Sequence, residues 1–160
     1  MSHRRFAVIG ATFLIALAGA AHAKPPREFL KTAIQGDNSE VELGRIAQNR
    51  AADPAVKDFG GMLVMDHSMH RDMIRPMAER AGVKDLDGMA PEAREERRKL
   101  QGLNGRAFDR EFARYMVKDH RKDIHEYEEQ AHGHGPLADL ARQTLPTLHK
   151  HLDTAERLKG

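Results

Sequence analysis

The sequence predicts an all-α fold: a four-helix bundle in which a longer connection between the second and third long helices carries a short helix of its own. Three observations point there. Apolar residues recur at three- and four-residue spacings along the chain, and no segment sustains the alternation of a strand. Prolines and glycines fall where helices start and stop. With no Trp and 5% aromatic residues, the core has to come from Leu, Ala, Met, Val and Ile.

The elements follow in order. A first helix covers residues near 26–51. Asp53 is then a natural N-cap and Pro54 an N1 residue, so a second helix starts there and runs to about Ala81, with Gly82 as its C′ stop. Gly60, Gly61 and Pro76 weaken its interior and are expected to kink it. A connector of roughly 83–104 contains a short charged helix beginning at Pro91. The third long helix runs from about Gly105 to Ala131. His132-Gly133-His134-Gly135 is a turn, and Pro136 opens the fourth, which Pro146 should bend. The first and second helices, and the third and fourth, read as hairpins. The connector is long enough for a crossover, as in ferritin-like topology, and the spacing leaves the connectivity open.

The amino terminus reads as an address. Arg4 and Arg5 precede an uncharged apolar run from Phe6 to Ala20, and Ala21-His22-Ala23 follows as a small-x-small cleavage pattern. This is the layout of a secretory signal peptide, residues 1–23, with an uncleaved N-terminal anchor as the alternative; the run is short for a membrane span of about 20 apolar residues. The expected mature domain is 24–160, exported to the periplasm or envelope, with no integral membrane span after cleavage. Of 26 basic residues, Arg4 and Arg5 leave with the signal, so 24 face 24 acids. The high pI therefore gives no support for nucleic-acid binding. Without Cys the chain forms neither disulfides nor a lipid anchor at a cysteine.

Polar residues occupy positions that the core should fill. At about 100° per residue, Glu40 lies in the middle of the stripe Phe29, Ala33, Gly44, Ala47 and Ala51. His70 is central to the stripe Val56, Phe59, Leu63, Ile74 and Met77, with His67 on its edge. His120 is central among Phe112, Met116, Ile124 and Tyr127, with Asp109 and Asp123 on the same face. His151 lies among Leu137, Leu140, Leu148, Ala155 and Leu158. Glu40, His67, His120 and His151 also lie near the midpoints of their helices, so they meet at one level under either connectivity. Such groups are costly to bury unpaired. A transition metal (zinc, copper, nickel or iron) would satisfy them, with Glu40, His67, His120 and His151 as primary ligands and His70, Asp66 and Asp123 as secondary ones. A metal-free network of hydrogen bonds and water is the other solution. His125 and His149 face outward, and His132 and His134 belong to the solvated turn.

Met62, Met65, Met69, Met73 and Met77 form a slanting row on the second helix. Thioethers suit copper, but the row runs along the flank of the stripe. Met62, Met73 and Met77 are expected to pack, leaving Met65 and Met69 for a copper contact or a partner surface.

Several fragments carry a family resemblance over roughly residues 28–158. They are Phe29-Leu30 through Asn38-x-Glu40, Ala47, Met62-x-x-x-Asp66-His67, Phe108-Asp109, His120 and Leu145-Pro146-x-Leu148-x-x-His151-Leu152. On these the chain resembles the bacterial domain-of-unknown-function family numbered 4142, often labelled a predicted outer membrane protein. The resemblance implies a ferritin-like bundle and no established reaction. No barrel-like strand pattern supports the outer-membrane label. Di-iron sites of ferritin-like proteins use Glu-x-x-His pairs; here Val64, Val117 and Leu148 precede the three histidines by three residues. An iron-storage or di-iron oxidase centre is therefore not expected. Nor does the chain show a nucleophile–base arrangement or a phosphate loop. The functional expectation is an envelope metal-binding protein, with a structural or interaction bundle as the alternative and a redox metalloenzyme as a third reading.

Overall fold

The computed structural model describes residues 23–159, so the expected signal peptide lies outside the described residues apart from its last position. Five helices follow one another: α1 Pro26–Arg50, α2 Pro54–Arg80, α3 Pro91–Gln101, α4 Gly105–Ala131 and α5 Pro136–Lys159. Four of the five open on a proline, whose fixed φ suits the first turn and whose missing N–H costs nothing there. Asp53 caps α2 by accepting a hydrogen bond from the Ala55 amide at 2.8 Å. Gly82 and Gly135 take positive φ at the two inter-element turns where the sequence places glycine. Helix α2 runs as one continuous helix through Gly60, Gly61 and Pro76, as α5 does through Pro146.

Which residues meet at each end gives the connectivity. One apolar cluster joins Leu43, Ala47 and Ala51 at the end of α1, Val56, Phe59 and Leu63 at the start of α2, and Phe108, Phe112 and Met116 at the start of α4. The other joins Phe29 and Ile34 at the start of α1, Ile74 and Ala78 at the end of α2, Ile124 and Tyr127 late in α4, and Leu140 and Leu148 in α5. The chain thus leaves α2 at one end of the bundle and begins α4 at the other. The 81–104 connector spans the bundle's length, α2 and α4 run parallel, and the topology is the ferritin-like crossover. Helix α3 lies on the crossover and packs on α1 and α4.

Two devices hold this arrangement. Asn38 donates to the carbonyls of Leu86 and Gly88, both at 3.0 Å, and Ser39 accepts from the Ala90 amide at 3.0 Å, which ties the connector to α1. Asp109 accepts from the amides of Ala52 and Asp53 at 2.9 and 3.1 Å, fixing the α1–α2 turn against the first turn of α4. Between α1 and α2 the backbones approach closely at Gly44 and Gly60. A Cβ on Gly44 would lie 2.7 Å from the Gly60 carbonyl oxygen, and one on Gly60 would lie 2.6 Å from the Gly44 carbonyl oxygen. Gly60 therefore serves the close packing of α2 on α1.

Candidate metal centre

The two apolar clusters are separated by a polar belt at the waist of the bundle. His67 comes from α2, His120 from α4 and His151 from α5, each buried. One ring nitrogen from each lies within 4.8 Å of the other two. Ring centroids are 5.9 Å apart for His67–His120 and 5.3 Å for His67–His151 and His120–His151. Each histidine sits in the middle of its helix, so the flanking turns on both sides are packed and hold it at this depth.

The other nitrogen of each ring is committed to an acceptor. His67 Nδ1 donates to Asp37 Oδ1 at 2.9 Å, His120 Nδ1 to the Met116 carbonyl at 3.0 Å, and His151 Nε2 to Asp66 Oδ2 at 2.9 Å. Because carboxylates and carbonyls only accept, each pairing fixes the proton on that nitrogen and leaves a lone pair on the other. Those other nitrogens are His67 Nε2, His120 Nε2 and His151 Nδ1, and all three are buried without a partner. Burial, with His67 and His151 beside it, holds the His120 pKa well below the ordinary histidine value. Burial, and then His67, lowers His151 to about 4. Both rings are thereby held neutral at pH 7.

Of the remaining predicted residues, Asp66 and His70 are bonded to the trio or to its partner Asp37. His70 donates from Nδ1 to Asp37 Oδ2 at 2.8 Å, and Tyr127 O–H reaches its Nε2 at 3.4 Å. Asp37 thus holds two imidazoles at once. Burial opposes its charge, yet His70 and His67 together keep its carboxyl below the usual range. Asp66 orients His151. Asp123 lies toward α1, 4.0 Å from where a Gly36 Cβ would be.

Glu40 stands apart from the trio. Its nearer oxygen is 3.8 Å from His120 Nδ1, the edge that faces the Met116 carbonyl rather than the edge whose nitrogen is free. Both Glu40 oxygens are buried without a donor. Burial and then the Asp119 carboxylate push its pKa well above the ordinary value, as burial and Asp119 do for Asp123. Sequence reasoning missed Asp37, although its position, four after Ala33 and three before Glu40, continues the inner stripe. It also missed Asp119, although it lies seven after Phe112 and three after Met116, at the edge of the α4 stripe.

A narrow cavity of about 30 Å³ lies among α1, α2, α4 and α5 beside the trio, lined by Asp37, Asp66, His67, His70, Tyr127 and His151 among others; it touches two of the three histidines, His67 and His151. On the outer flank, Met65, Met69 and Met73 are exposed by 57%, 68% and 51%, while Met62 and Met77 pack against the core. Met73 therefore does not pack as expected: it follows Met69 by one turn and turns outward with it.

Comparison with known proteins agrees with the architecture. A crystal structure of a DUF305 fragment from Deinococcus radiodurans superposes with a TM-score of 0.74 over 87% of this chain and 98% of that one, at 20% identity, a likeness of fold. No curated protein matches. The family model described as domain of unknown function DUF4142 matches residues 15–158, and with nearly the whole chain covered, the protein belongs to the DUF4142 family.

Proposed function

We propose that this is an exported envelope protein that binds a transition metal ion through His67, His120 and His151. One observation carries the reading: three buried imidazoles come together, each with one ring nitrogen that has no hydrogen-bond partner. The neighbouring cavity has room for water, since a site needs only about 10–15 Å³ for one molecule. A single water has two O–H groups, however, and leaves the third lone pair unsatisfied. Protonation is a poor remedy, because burial keeps His120 and His151 neutral at pH 7. A cation satisfies all three nitrogens together.

The surroundings fit this use. Ligating histidines ordinarily donate their second N–H to a carboxylate or carbonyl, which fixes the tautomer and raises ligand basicity. Asp37, the Met116 carbonyl and Asp66 occupy those positions. Three neutral imidazoles suit zinc, copper, nickel or iron, and a cavity of about 30 Å³ lies beside two of them, His67 and His151. Glu40 lies behind His120 in this arrangement, 3.8 Å from its Nδ1, and the bound ion would bring positive charge to a belt rich in carboxyl groups. The alternative, a metal-free polar core that only specifies the bundle, draws on the same cavity and requires more than one ordered water.

Thermal melting of the metal-free mature protein separates the two. A ligand that binds only the folded state at about 100 times its Kd stabilises by about 2.7 kcal/mol, which is about 5–10 °C for a domain of this size. Zinc, copper, nickel or iron should produce such a rise. His120→Ala and His151→Ala should abolish it, and Asp66→Asn should weaken affinity by roughly 10–100-fold. If none of the four metals raises the melting temperature and none copurifies from the envelope, the metal-free bundle is the right reading. Export is tested separately: amino-terminal sequencing of envelope protein should begin at Lys24, and a chain still beginning at Met1 would sink it.

A further inference from the structure

The large hydrophobic side chains exposed among the described residues are all methionines of α2, and they cover no part of the core. Two of them, Met69 and Met73, are one turn apart and therefore neighbours on the helix surface. With Asp66 and His70 they form the α2 wall of an open groove of about 300 Å³, whose opposite wall is α5 at Thr144 and Thr147. Asp66, His70, Thr144 and Thr147 also line the narrow cavity that reaches His67 and His151. The groove thus adjoins the cavity that touches His67 and His151. Met65 is as exposed as its neighbours but borders neither the groove nor the cavity.

We infer that Met69 and Met73 form a surface site for a soft monovalent cation, copper(I), from which the ion passes to the trihistidine centre. Thioethers are weak ligands for zinc, nickel and iron(II) but good ones for copper(I), so their placement in this groove selects copper among the metals that imidazoles accept. The Asp66 carboxylate beside them adds negative charge and, through His151, connects the groove to the centre. The destination rests on the trihistidine reading; the surface site itself does not.

The test uses the full mature protein labelled with carbon-13 at the methionine methyl groups. It is titrated with silver(I) nitrate in chloride-free buffer, and with copper(I) under anaerobic conditions. The Met69 and Met73 methyl signals should shift together while that of Met65 stays in place. A Met69→Leu/Met73→Leu variant should lose the ion held at the surface and fill the histidine centre with copper(I) roughly tenfold more slowly, because the ion is no longer held at high local concentration. His120→Ala should keep the methyl shifts and lose the central ion. The proposal is wrong if neither Met69 nor Met73 shifts, if Met65 shifts in step with them, or if the double variant fills the centre as fast as the wild type. If His120→Ala and His151→Ala bind as much copper as the wild type, the trihistidine reading falls, and the methyl shifts still decide the surface site.

Discussion

His151 makes the stability of the metal-free protein depend on pH in a way that can be worked out in advance. Its folded pKa is about 4, against an ordinary value of 6.5, because it is buried beside His67. Below pH 6.5 the unfolded chain takes up a proton at this residue that the folded chain refuses until about pH 4. Stability from this group is therefore complete above 6.5 and is lost as the pH falls toward 4. At 1.36 kcal/mol per unit, the loss is about 2 kcal/mol at pH 5 and about 3 kcal/mol at pH 4. His120, shifted in the same direction, adds to it. The buried acids act oppositely. Glu40 and Asp123 have raised folded pKa values, so their contribution is present at low pH and is lost as pH rises. The wild-type curve alone is therefore no test, and the difference from His151→Gln is. Glutamine keeps an N–H for Asp66 and cannot titrate. Urea unfolding in the presence of a chelator, followed by far-ultraviolet circular dichroism, gives both curves. The variant's deficit relative to wild type should shrink by about 2 kcal/mol between pH 7 and pH 5. Parallel curves, or a deficit that grows on acidification, would refute the claim that this ring is held neutral by burial.

Two further outcomes test the packing and the connector. Gly44→Ala should destabilise by about 1–3 kcal/mol, because the new methyl meets the Gly60 carbonyl and that overpacking outweighs the roughly 1 kcal/mol gained in helix propensity. Gly61→Ala is the control: its nearest neighbour is the movable Gln48 amide at 3.1 Å, so its melting temperature should be unchanged or higher. In α3, burial and then the Glu111 carboxylate raise Glu96 to about 7, so its favourable contribution is complete below pH 4.5 and gone above 7. Glu96→Gln should accordingly be more stabilising at pH 8 than at pH 4, by about 1–2 kcal/mol in urea unfolding; equal effects at both pH values would show that Glu96 titrates normally.

The helix boundaries were legible because their signals are local. A proline at N1 and a glycine in the left-handed region act within one turn, so Pro54, Pro91, Pro136, Gly82 and Gly135 mark their elements without help from the rest of the chain. Connectivity was not local. It depends on whether Phe108 and Phe112 meet Phe59 or Ile74, which neither periodicity nor loop length decides; the structure pairs them with Phe59. Gly60 shows the limit of propensity reasoning. On its own it weakens a helix, and only the facing Gly44 turns it into a packing contact.

At the site, a helical wheel gives the direction in which a residue leaves its helix, not where the end of its side chain goes. For His67, His120 and His151 the two nearly coincide, since a rigid ring leaves little choice, and mid-helix position supplied the depth. Glu40 leaves α1 in the same inward direction, but its flexible carboxylate stops at the Nδ1 edge of His120. Asp37 shows the complementary failure. A single aspartate on an inner stripe looks like a defect until the partner helix is known to bring two imidazoles to it. Its two oxygens then serve His67 and His70 separately, so Asp37→Asn would leave one ring facing an amide N–H₂ in place of an acceptor. That ring's only remedy is to change tautomer. If His67 were the one to change, its free lone pair would turn toward α1 and away from His120 and His151. The tautomer of His67 is therefore held by a residue outside the trio, on a helix that contributes none of its histidines.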